Sequence, residues 1–445
     1  MQLDNKEFEE RYKELLIKAD IIFPTPVKGC NVLKDYGYQI WEMIRRELDS
    51  RLKNMGFKNM YFPQFIPHSQ LKKQDEHYRS FIRETIICPK AGEHEFADQL
   101  IIRPTSEAII YPSIKEWIKT EKDLPLLLNQ WCSIVRWEIL KDNFPLIRDN
   151  EFLWHEAHSC HNSEEECDEY TLKLFNMQRD YIQNSLAIPV FDGKKPERRK
   201  FAGAQYTLAL EAMMRNCKGV QIATSHSLGQ RFSIPFQLEY MDDFGNKNNV
   251  WQSCSGMTTR LIGALALVHA DKQGLVLPPK IAPYEIAIID ENNLDDKNLF
   301  EKIKDNHRIV TGKDSKHWLI KGVPLIICKD TITRRDTLES MSLENITEQD
   351  IKRLLKEIQK NLLLKAMSFK DEHTLKANDY HRFKEHLEQR KGFCISSWCG
   401  DTECSRIIRK ETLGSLRLIN SLKENHKCIR CGNEGRYEAV FGQSY

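Results

Sequence analysis

Leu124-Pro-Leu-Leu-Leu-Asn-Gln-Trp-Cys-Ser-Ile-Val-Arg-Trp-Glu138 and Glu151-Phe-Leu-Trp-His-Glu-Ala-His158 are two apolar, β-prone stretches, and the polar segment Ile139–Asn150 separates them. Two such stretches around a polar connection predict an antiparallel hairpin. On a strand, successive side chains point to opposite faces, so His155 and His158 are expected on different faces. This makes a shared metal site for the histidines of this segment a poor interpretation.

Charged residues gather at the open end of this hairpin. The residues in and around the polar connection include Arg136, Glu138, Arg148 and Phe152. The segment Arg103-Pro-Thr-Ser-Glu107 precedes the hairpin in the sequence. Arginine beside core segments is costly unless it meets an anion, but an isolated Arg–Glu pair is most often a structural salt bridge. A nucleoside triphosphate would supply the anion, and a phenyl ring would supply a flat apolar face for its base. The residues alone leave both interpretations open.

Length and composition indicate an ordinary globular protein of about three domains, with 445 residues, 41% of them hydrophobic and 29% charged. The net charge of +2 provides no global basic field for a nucleic acid. The first residues lack the apolar region of a signal peptide, and no apolar run is long enough for a membrane span. We therefore expect a cytoplasmic protein with no membrane partner.

Hydrophobic periodicity and turn residues predict the remaining elements. The predicted helices cover 6–18, 38–55, 106–120, 163–185, 259–269, 296–303 and 347–364. Strands are expected at 284–289 and 323–328, beyond a proline-rich linker at 277–283.

Four cysteines near the end of the sequence form two close pairs, and they are Cys399, Cys404, Cys428 and Cys431. Two pairs about twenty residues apart fit a tetrahedral zinc site with four thiolates. The alternatives are unrelated buried cysteines or a disulfide, and the expected reducing compartment disfavours a disulfide. Four protein ligands leave no open position, so the predicted zinc is structural.

Several further motifs stand along the chain: Phe201-Ala-Gly-Ala204, Thr224-Ser-His226, Leu228-Gly-Gln230, Thr258-Thr-Arg260 and Gly274-Leu-Val-Leu-Pro-Pro279. Together with the segments above and the final Tyr445, they resemble prolyl-tRNA synthetases of the archaeal and eukaryotic kind, a family of class II aminoacyl-tRNA synthetases. The resemblance covers nearly the whole chain. It implies an α+β catalytic domain on an antiparallel sheet (1–278), a small α/β anticodon-binding-like domain (279–345) and a C-terminal zinc-binding α+β domain (346–445). No editing domain is expected, because 161–200 holds no large insertion.

The resemblance also implies roles for individual residues. The amino acid would be held by Thr105, Glu107, Arg136 and His226. ATP would be bound by Arg136, Glu138, Arg148, Phe152, Gln221, Thr224, Thr258 and Arg260. Arg136 and Arg260 would be catalytic, because fixed guanidinium groups offset the negative charge that builds up at the α-phosphate. Magnesium would accompany ATP, with Glu138 and Glu211 as candidate ligands, and a homodimer is implied.

This sequence departs from the family pattern at several positions. Trp-Gln-Glu-Gly-His is Trp154-His-Glu-Ala-His158, Gly-Thr-Ser-His begins with Ala223, and Ser-Trp-Gly is Cys254-Ser-Gly256. An added methyl group matters where backbone passes close to a ligand, and loss of the tryptophan at Ser255 removes a large side chain. Ala157, Ala223, Cys254 and Ser255 are therefore candidates for an altered amino-acid pocket, with neutral repacking as the alternative.

The expected function is ATP-dependent activation of proline, or a proline-like amino acid, to the aminoacyl-adenylate, followed by transfer to tRNA. The anticodon-like domain is short, and Ile326 and Cys328 replace an arginine and a glutamate that suit base recognition. Two alternatives therefore stay open. One is a paralogue that passes the amino acid to a carrier protein or small molecule, and the other is an inactive regulatory homologue. The retained charged motifs count against the inactive homologue.

Overall fold

The computed structural model describes residues 5–139, 144–290, 303–421 and 426–445. The predicted hairpin is present, because Leu126–Val135 and Glu151–His161 pair as antiparallel strands with Val135 opposite Glu151. Most strand pairs of the surrounding sheet are also antiparallel. The predicted class, an α+β fold on an antiparallel sheet, is confirmed.

The strands of the first part of the chain are β1 (Ile22–Pro24), β2 (Asn31–Leu33), β3 (Lys58–Asn59), β4 (Phe65–Pro67), β5 (Ile87–Ala91), β6 (His94–Ile102), β7 (Leu126–Val135), β8 (Glu151–His161), β9 (Val190–Lys194), β10 (Tyr206–Met213), β11 (Gly219–Gly229), β12 (Glu239–Met241), β13 (Lys247–Asn249) and β14 (Trp251–Thr258). The later strands are β15 (Ile286–Ile289), β16 (Ile309–Gly312), β17 (Leu325–Cys328), β18 (Thr331–Arg334), β19 (Ser340–Ser342), β20 (Thr374–Lys376), β21 (Phe393–Trp398), β22 (Ser415–Ser421) and β23 (Tyr437–Gly442).

The helices are α1 (Asn5–Lys18), α2 (Asp35–Asn54), α3 (His68–Leu71), α4 (Asp75–Phe81), α5 (Glu107–Ile114), α6 (Glu164–Asn184), α7 (Ser233–Phe236), α8 (Arg260–His269), α9 (Ser315–Lys321), α10 (Glu348–Glu372), α11 (Tyr380–Glu388) and α12 (Thr402–Thr412). Short 3₁₀ turns lie at Ile82–Glu84, Glu121–Asp123 and Glu197–Arg199. The helix predicted at 296–303 lies almost entirely outside the described residues. No described helix combines the length and apolar character that crossing a membrane requires.

The main sheet has the strand order β20-β21-β23-β22-β9-β10-β11-β14-β8-β7-β3 within the described residues. Helix α6 lies against β8, β11 and β14 on one face of this sheet. It begins at its cap Ser163, whose side chain accepts a hydrogen bond from Glu166 N at 3.2 Å, and the acidic first turn also favours a start here. The opposite face of the same strands is left to the cavity described below.

A second sheet has the order β16-β15-β17-β18-β19. The apolar face of α10, with Ile351, Leu354 and Ile358, packs against Ile288 and Ile327 of this sheet. Its start is capped as predicted, by reciprocal hydrogen bonds between Thr347 and Asp350. The domain boundary predicted after residue 345 falls between this sheet and the helix that covers it, and it stays a prediction.

The cysteine-bearing end of the chain is continuous with the catalytic sheet. β22 joins β9 through the antiparallel pair Ile419 and Lys194.

The helix predicted at 106–120 is shorter than expected, since α5 ends at Ile114, shortly after Pro112.

Candidate active site

A cavity opens on the face of the main sheet opposite α6. Alternate residues of β8 point into it, namely Phe152, Trp154, Glu156 and His158. The predicted site residues that line it are Thr105, Glu107, Arg136, Phe152, Gln221, Ala223, Thr224, His226, Cys254, Ser255, Thr258 and Arg260. Residues from motifs that lie far apart in the sequence thus share one cavity.

Arg136 follows β7 and is held by its Nε, which donates to the carbonyl of Pro104 at 2.8 Å. Its guanidinium carbon lies 5.1 Å from the ring centre of Phe81, 5.8 Å from that of Phe152 and 5.6 Å from that of Trp154. Aromatic faces attract a cation and fix its plane. Among the described residues, no carboxylate forms an ion pair with Arg136, so its terminal nitrogens stay free to bind an anion.

Arg260 approaches the cavity from the start of α8. Its Nε donates to the carbonyl of Ile147 at 3.0 Å, and its Nη1 donates to the carbonyl of Gln221 at 3.1 Å. Thr258 supports the turn, because its hydroxyl accepts a hydrogen bond from Arg260 N at 3.0 Å. Burial lowers the pKa of Arg260, and the nearby Arg136 lowers it further. Two guanidinium groups that repel one another across a cavity favour an anion between them.

Glu138 and Arg148 form an ion pair, with Nε and Oε2 2.8 Å apart. The Arg148 side chain is 54% exposed and that of Glu138 is 34% exposed. The main-chain nitrogen of Glu138 donates to Asn150 Oδ1 at 2.9 Å, which fixes the connection between β7 and β8. These two residues stand by the hairpin connection, outside the side chains that line the cavity.

Glu107 lies at the other end of the cavity and is only 2% exposed. The Thr105 hydroxyl donates to its carboxylate, and His77 Nε2 lies 3.4 Å from its Oε2. Burial alone would raise the pKa of Glu107, but the hydrogen bonds and the charges of His77 and His158 outweigh burial and bring it to about 2. Glu107 is therefore a buried anion suited to a cationic amino group.

His226 and His158 have opposite electrostatic surroundings. Burial lowers the pKa of His226 to about 3, so its ring is neutral, and Nδ1 lies 2.8 Å from the Thr207 hydroxyl. Burial would also lower the pKa of His158, but Glu156 Oε2, 3.1 Å from Nε2, raises it overall. His155 lies on the other face as predicted, with Nδ1 3.1 Å from Asn129 Oδ1.

The candidates for altered specificity divide between the two faces of the sheet. The methyl group of Ala157 packs with Leu52 and Leu174 on the α6 side, and the Ser255 hydroxyl accepts from Gln178 Nε2 of α6 at 2.6 Å. Ser255 and Ala223 also belong to the lining of the cavity, whereas Ala157 does not, and Ala223 packs in the core behind the sheet as well. That these positions alter the amino-acid pocket stays a prediction.

Cys254 is the specificity candidate that faces the cavity with its side chain. Its Sγ lies 4.0 Å from Glu107 Oε1.

Glu211 is unsuited to magnesium. Its carboxylate is fully buried and binds Lys195 Nζ at 2.6 Å and Arg417 Nη2 at 2.7 Å. Burial would raise the pKa of Glu211, but these two cations lower it. Both oxygens are thus already neutralised, which corrects the expectation for this residue and leaves Glu138 as the candidate.

Sequence reasoning missed three side chains in and around the site. His77 comes from α4 and contacts Glu107, and Asp149 lines the cavity, where burial raises its pKa to about 7. Lys195 neutralises Glu211. His77 and Lys195 lie outside the motifs, so the sequence gives no sign of them. Asp149 lies next to Arg148, and this position beside the ATP-binding motif is the sequence feature that could have identified it as a site residue.

The four predicted zinc ligands come together at the C-terminal end. Their sulfur atoms all lie within 4.8 Å of one another, with Cys399 Sγ 3.7 Å from Cys404 Sγ and 3.8 Å from Cys431 Sγ. A tetrahedral ion with Zn–S bonds of ~2.3 Å sets sulfurs about 3.8 Å apart. Cys428 completes the set. The donor set and its spacing fit a structural zinc ion.

We expect the purified protein to carry zinc in this four-cysteine site, and Cys428→Ser to lose it, because three thiolates and a hydroxyl bind zinc more weakly. Metal analysis by mass spectrometry measures the content, and thermal unfolding measures the loss of stability. Cys394→Ser is the matched control, since Cys394 is buried nearby but outside the set. Zinc-free native protein with four titratable thiols at these positions would contradict the assignment.

Comparison with known proteins agrees with this arrangement. Residues 91–269 match the model of the tRNA synthetase class II core domain (G, H, P, S and T), and residues 380–445 match that of the prolyl-tRNA synthetase C-terminal region. A proline–tRNA ligase of Alkaliphilus oremlandii is 39% identical over 466 residues, covering 99% of this chain and 96% of its own length. The chain belongs to the prolyl-tRNA synthetases.

Two further relatives extend the comparison. The proline–tRNA ligase of Natranaerobius thermophilus is 36% identical, covering 99% of this chain and 97% of its own length. The crystal structure of the prolyl-tRNA synthetase of Cryptosporidium parvum, complexed with halofuginone and AMPPNP, matches with a TM-score of 0.90 and 32% identity. That match covers 98% of this chain and 95% of the other. The chain is therefore an enzyme of the ligase class, an aminoacyl-tRNA synthetase.

Proposed function

We propose that this protein activates proline with ATP to prolyl-adenylate and transfers the prolyl group to tRNA. The observation that carries the proposal is the pair Arg136 and Arg260, two guanidinium groups that line one cavity without a carboxylate ion pair among the described residues. A partly buried cation without an anion is costly, so the cavity favours a polyanionic ligand. Full-length similarity to proline–tRNA ligases supports the same substrate chemistry and does not favour the alternatives.

In the activation step, a carboxylate oxygen of proline attacks the α-phosphorus of ATP, and pyrophosphate leaves. The pentacoordinate transition state gathers negative charge on the α-phosphate oxygens. Arg136, oriented by Pro104 and the surrounding aromatic rings, stabilises that charge, and Arg260 does so from the start of α8. No covalent bond to the protein is required.

The amino acid lies at the Glu107 end of the cavity. The Glu107 carboxylate accepts hydrogen bonds from the proline ammonium, and Thr105 fixes the position of the carboxylate. The neutral ring of His226, held by Thr207, forms a wall on the same side. The low pKa of Glu107 keeps it charged across the physiological range.

ATP extends from this point towards the hairpin connection. Phe152 stacks on the adenine, and Arg148 reaches the outer phosphates from its exposed position. Gln221, Thr224 and Thr258 bind ATP from β11 and β14, in keeping with their place in the lining. Magnesium neutralises the triphosphate when bound, and Glu138 offers the carboxylate oxygens that this ion prefers.

Transfer to tRNA completes the proposed reaction. Of the two replaced positions of the anticodon-like sheet, Ile326 is 4% exposed and belongs to an apolar core cluster, so its side chain reads no base. The sequence-based prediction of weaker anticodon contacts remains a prediction. We place the enzyme in the cytoplasm as a homodimer, in keeping with the exposed apolar side chains of Tyr61 and Phe65.

ATP–pyrophosphate exchange across a panel of amino acids tests the substrate. We expect exchange with proline to exceed that with alanine by about tenfold or more, since each missing methylene of a well-filled pocket lowers the rate about 10–200-fold. Glu107→Gln should raise KM for proline, whereas Arg148→Ala should raise KM for ATP. Exchange with another amino acid and none with proline would overturn the proposal.

A further inference from the structure

Three potential metal ligands meet at the inner end of the cavity, apart from the four-cysteine site. Glu107, His158 and Cys254 are 2%, 2% and 6% exposed, and their donor atoms lie within 4.8 Å of one another. Cys254 Sγ lies 4.0 Å from Glu107 Oε1. A thiolate, an imidazole and a carboxylate are the donors that zinc takes in proteins, and three of them leave a fourth position open.

The His158 ring is held as metal-binding histidines usually are. Its Nε2 lies 3.1 Å from Glu156 Oε2, and Glu156 is itself fixed by Gln130 Nε2, which donates to Oε1 at 2.6 Å. A carboxylate on one ring nitrogen places the proton there and leaves the lone pair on the other nitrogen. That other nitrogen, Nδ1, lies 3.1 Å from the Tyr111 hydroxyl.

Nδ1 is therefore the ring nitrogen through which His158 would bind an ion. Without an ion this nitrogen is hydrogen-bonded to the Tyr111 hydroxyl, so zinc binding would replace that hydrogen bond.

The charges of such a site would balance. Glu107 is already an anion, and both the Cys254 thiol and the His158 ring, when it is protonated, release their proton to solvent as the Zn–S and Zn–N bonds form. Two negative donors and a neutral imidazole then match the double charge of the ion, so no net charge is added to a buried place. The thiol is a departure of this chain, because the family pattern has serine at position 254.

We propose that Glu107, His158 and Cys254 bind a zinc ion reversibly, and that this ion competes with the amino acid for the inner end of the cavity. The competition rests on the proposed function, which assigns Glu107 to the proline ammonium. The four-cysteine site differs in offering four protein ligands and no open position, as expected of a structural zinc site.

Cobalt binding to the full-length protein, with zinc retained in the four-cysteine site and no substrate present, tests the metal site directly. We expect wild-type protein to develop a thiolate-to-cobalt absorption band, and Cys254→Ser to lose the band and bind cobalt at least ~10-fold more weakly. Cys160→Ser is the matched control, because Cys160 is buried on the neighbouring strand but outside the set, and it should keep the band. Identical spectra for wild type and Cys254→Ser would overturn the metal site.

Zinc inhibition of ATP–pyrophosphate exchange tests the competition. Added zinc should raise the apparent KM for proline, and Cys254→Ser should need at least ~10-fold more zinc for the same effect. Zinc inhibition that does not depend on the proline concentration would overturn the competition between zinc and proline. Absence of exchange with proline in protein without added zinc would overturn the proposed function, while a Cys254-dependent cobalt band would still uphold the metal site.

Discussion

Arg136→Ala is expected to lower kcat of proline-dependent ATP–pyrophosphate exchange by about 10²–10³-fold, the usual effect of removing one preorganised donor from a developing charge. The surroundings of Arg136 hold its guanidinium group in place. Its Nε donates a hydrogen bond to the carbonyl of Pro104 at 2.8 Å, and three aromatic rings fix the plane of the group. Arg136 also lines the cavity. Steady-state exchange at varied ATP and proline measures the effect.

Two further variants separate charge from geometry. Arg136→Lys keeps the cation but loses the planar fork, so it should recover only part of the activity. Arg406→Ala is the control for a distant arginine, because Arg406 is 62% exposed on α12, and it should behave as wild type. Circular dichroism and thermal unfolding show whether each variant is folded. A folded Arg136→Ala enzyme with kcat near that of wild type would show that Arg136 is a structural residue.

Glu211→Gln is expected to destabilise the protein by about 3–5 kcal/mol, because it leaves two buried cations without their anion. Lys195 and Arg417 both bind this carboxylate, and they are 5% and 7% exposed. Arg417→Met should cost less, about 1–3 kcal/mol, since Lys195 still neutralises Glu211. Urea or thermal unfolding of the full chain measures both.

The double variant Glu211→Gln with Arg417→Met tests the coupling. It should be more stable than Glu211→Gln alone, because one of the unpaired cations is gone. Arg417 belongs to β22 and Glu211 to β10, so the pair also joins the cysteine-bearing end of the chain to the catalytic sheet. Equal losses for the two single variants, or an additive double variant, would contradict a buried charge cluster centred on Glu211.

The sequence predicted best what depends on local pattern. The β7–β8 hairpin and the start of α10 follow from apolar stretches, a polar connection and the Thr347–Asp350 capping box. The predicted end of α10 at residue 364 lies eight residues before the observed end at Glu372, because the later turns bury fewer apolar side chains and the periodicity fades. The packing of α10 on the second sheet depends on long-range contacts that no local pattern reports.

The site was predicted where motifs carry it and missed where side chains arrive from elsewhere. Arg136, Glu107 and His226 belong to recognisable motifs, and all three line the cavity. His77 reaches Glu107 from a short helix thirty residues earlier in the chain, which only the fold brings close. Ala157 is different, because the two-residue period of a strand already places it opposite Glu156 and His158.

Charging of transcribed proline tRNA tests whether this enzyme is a working prolyl-tRNA synthetase. With ATP, magnesium and labelled proline, we expect prolyl-tRNA formation that needs all the components and falls with Arg136→Ala in step with exchange. Strong proline-dependent exchange without acylated tRNA would contradict transfer to tRNA, and would point instead to transfer of the activated proline to another acceptor.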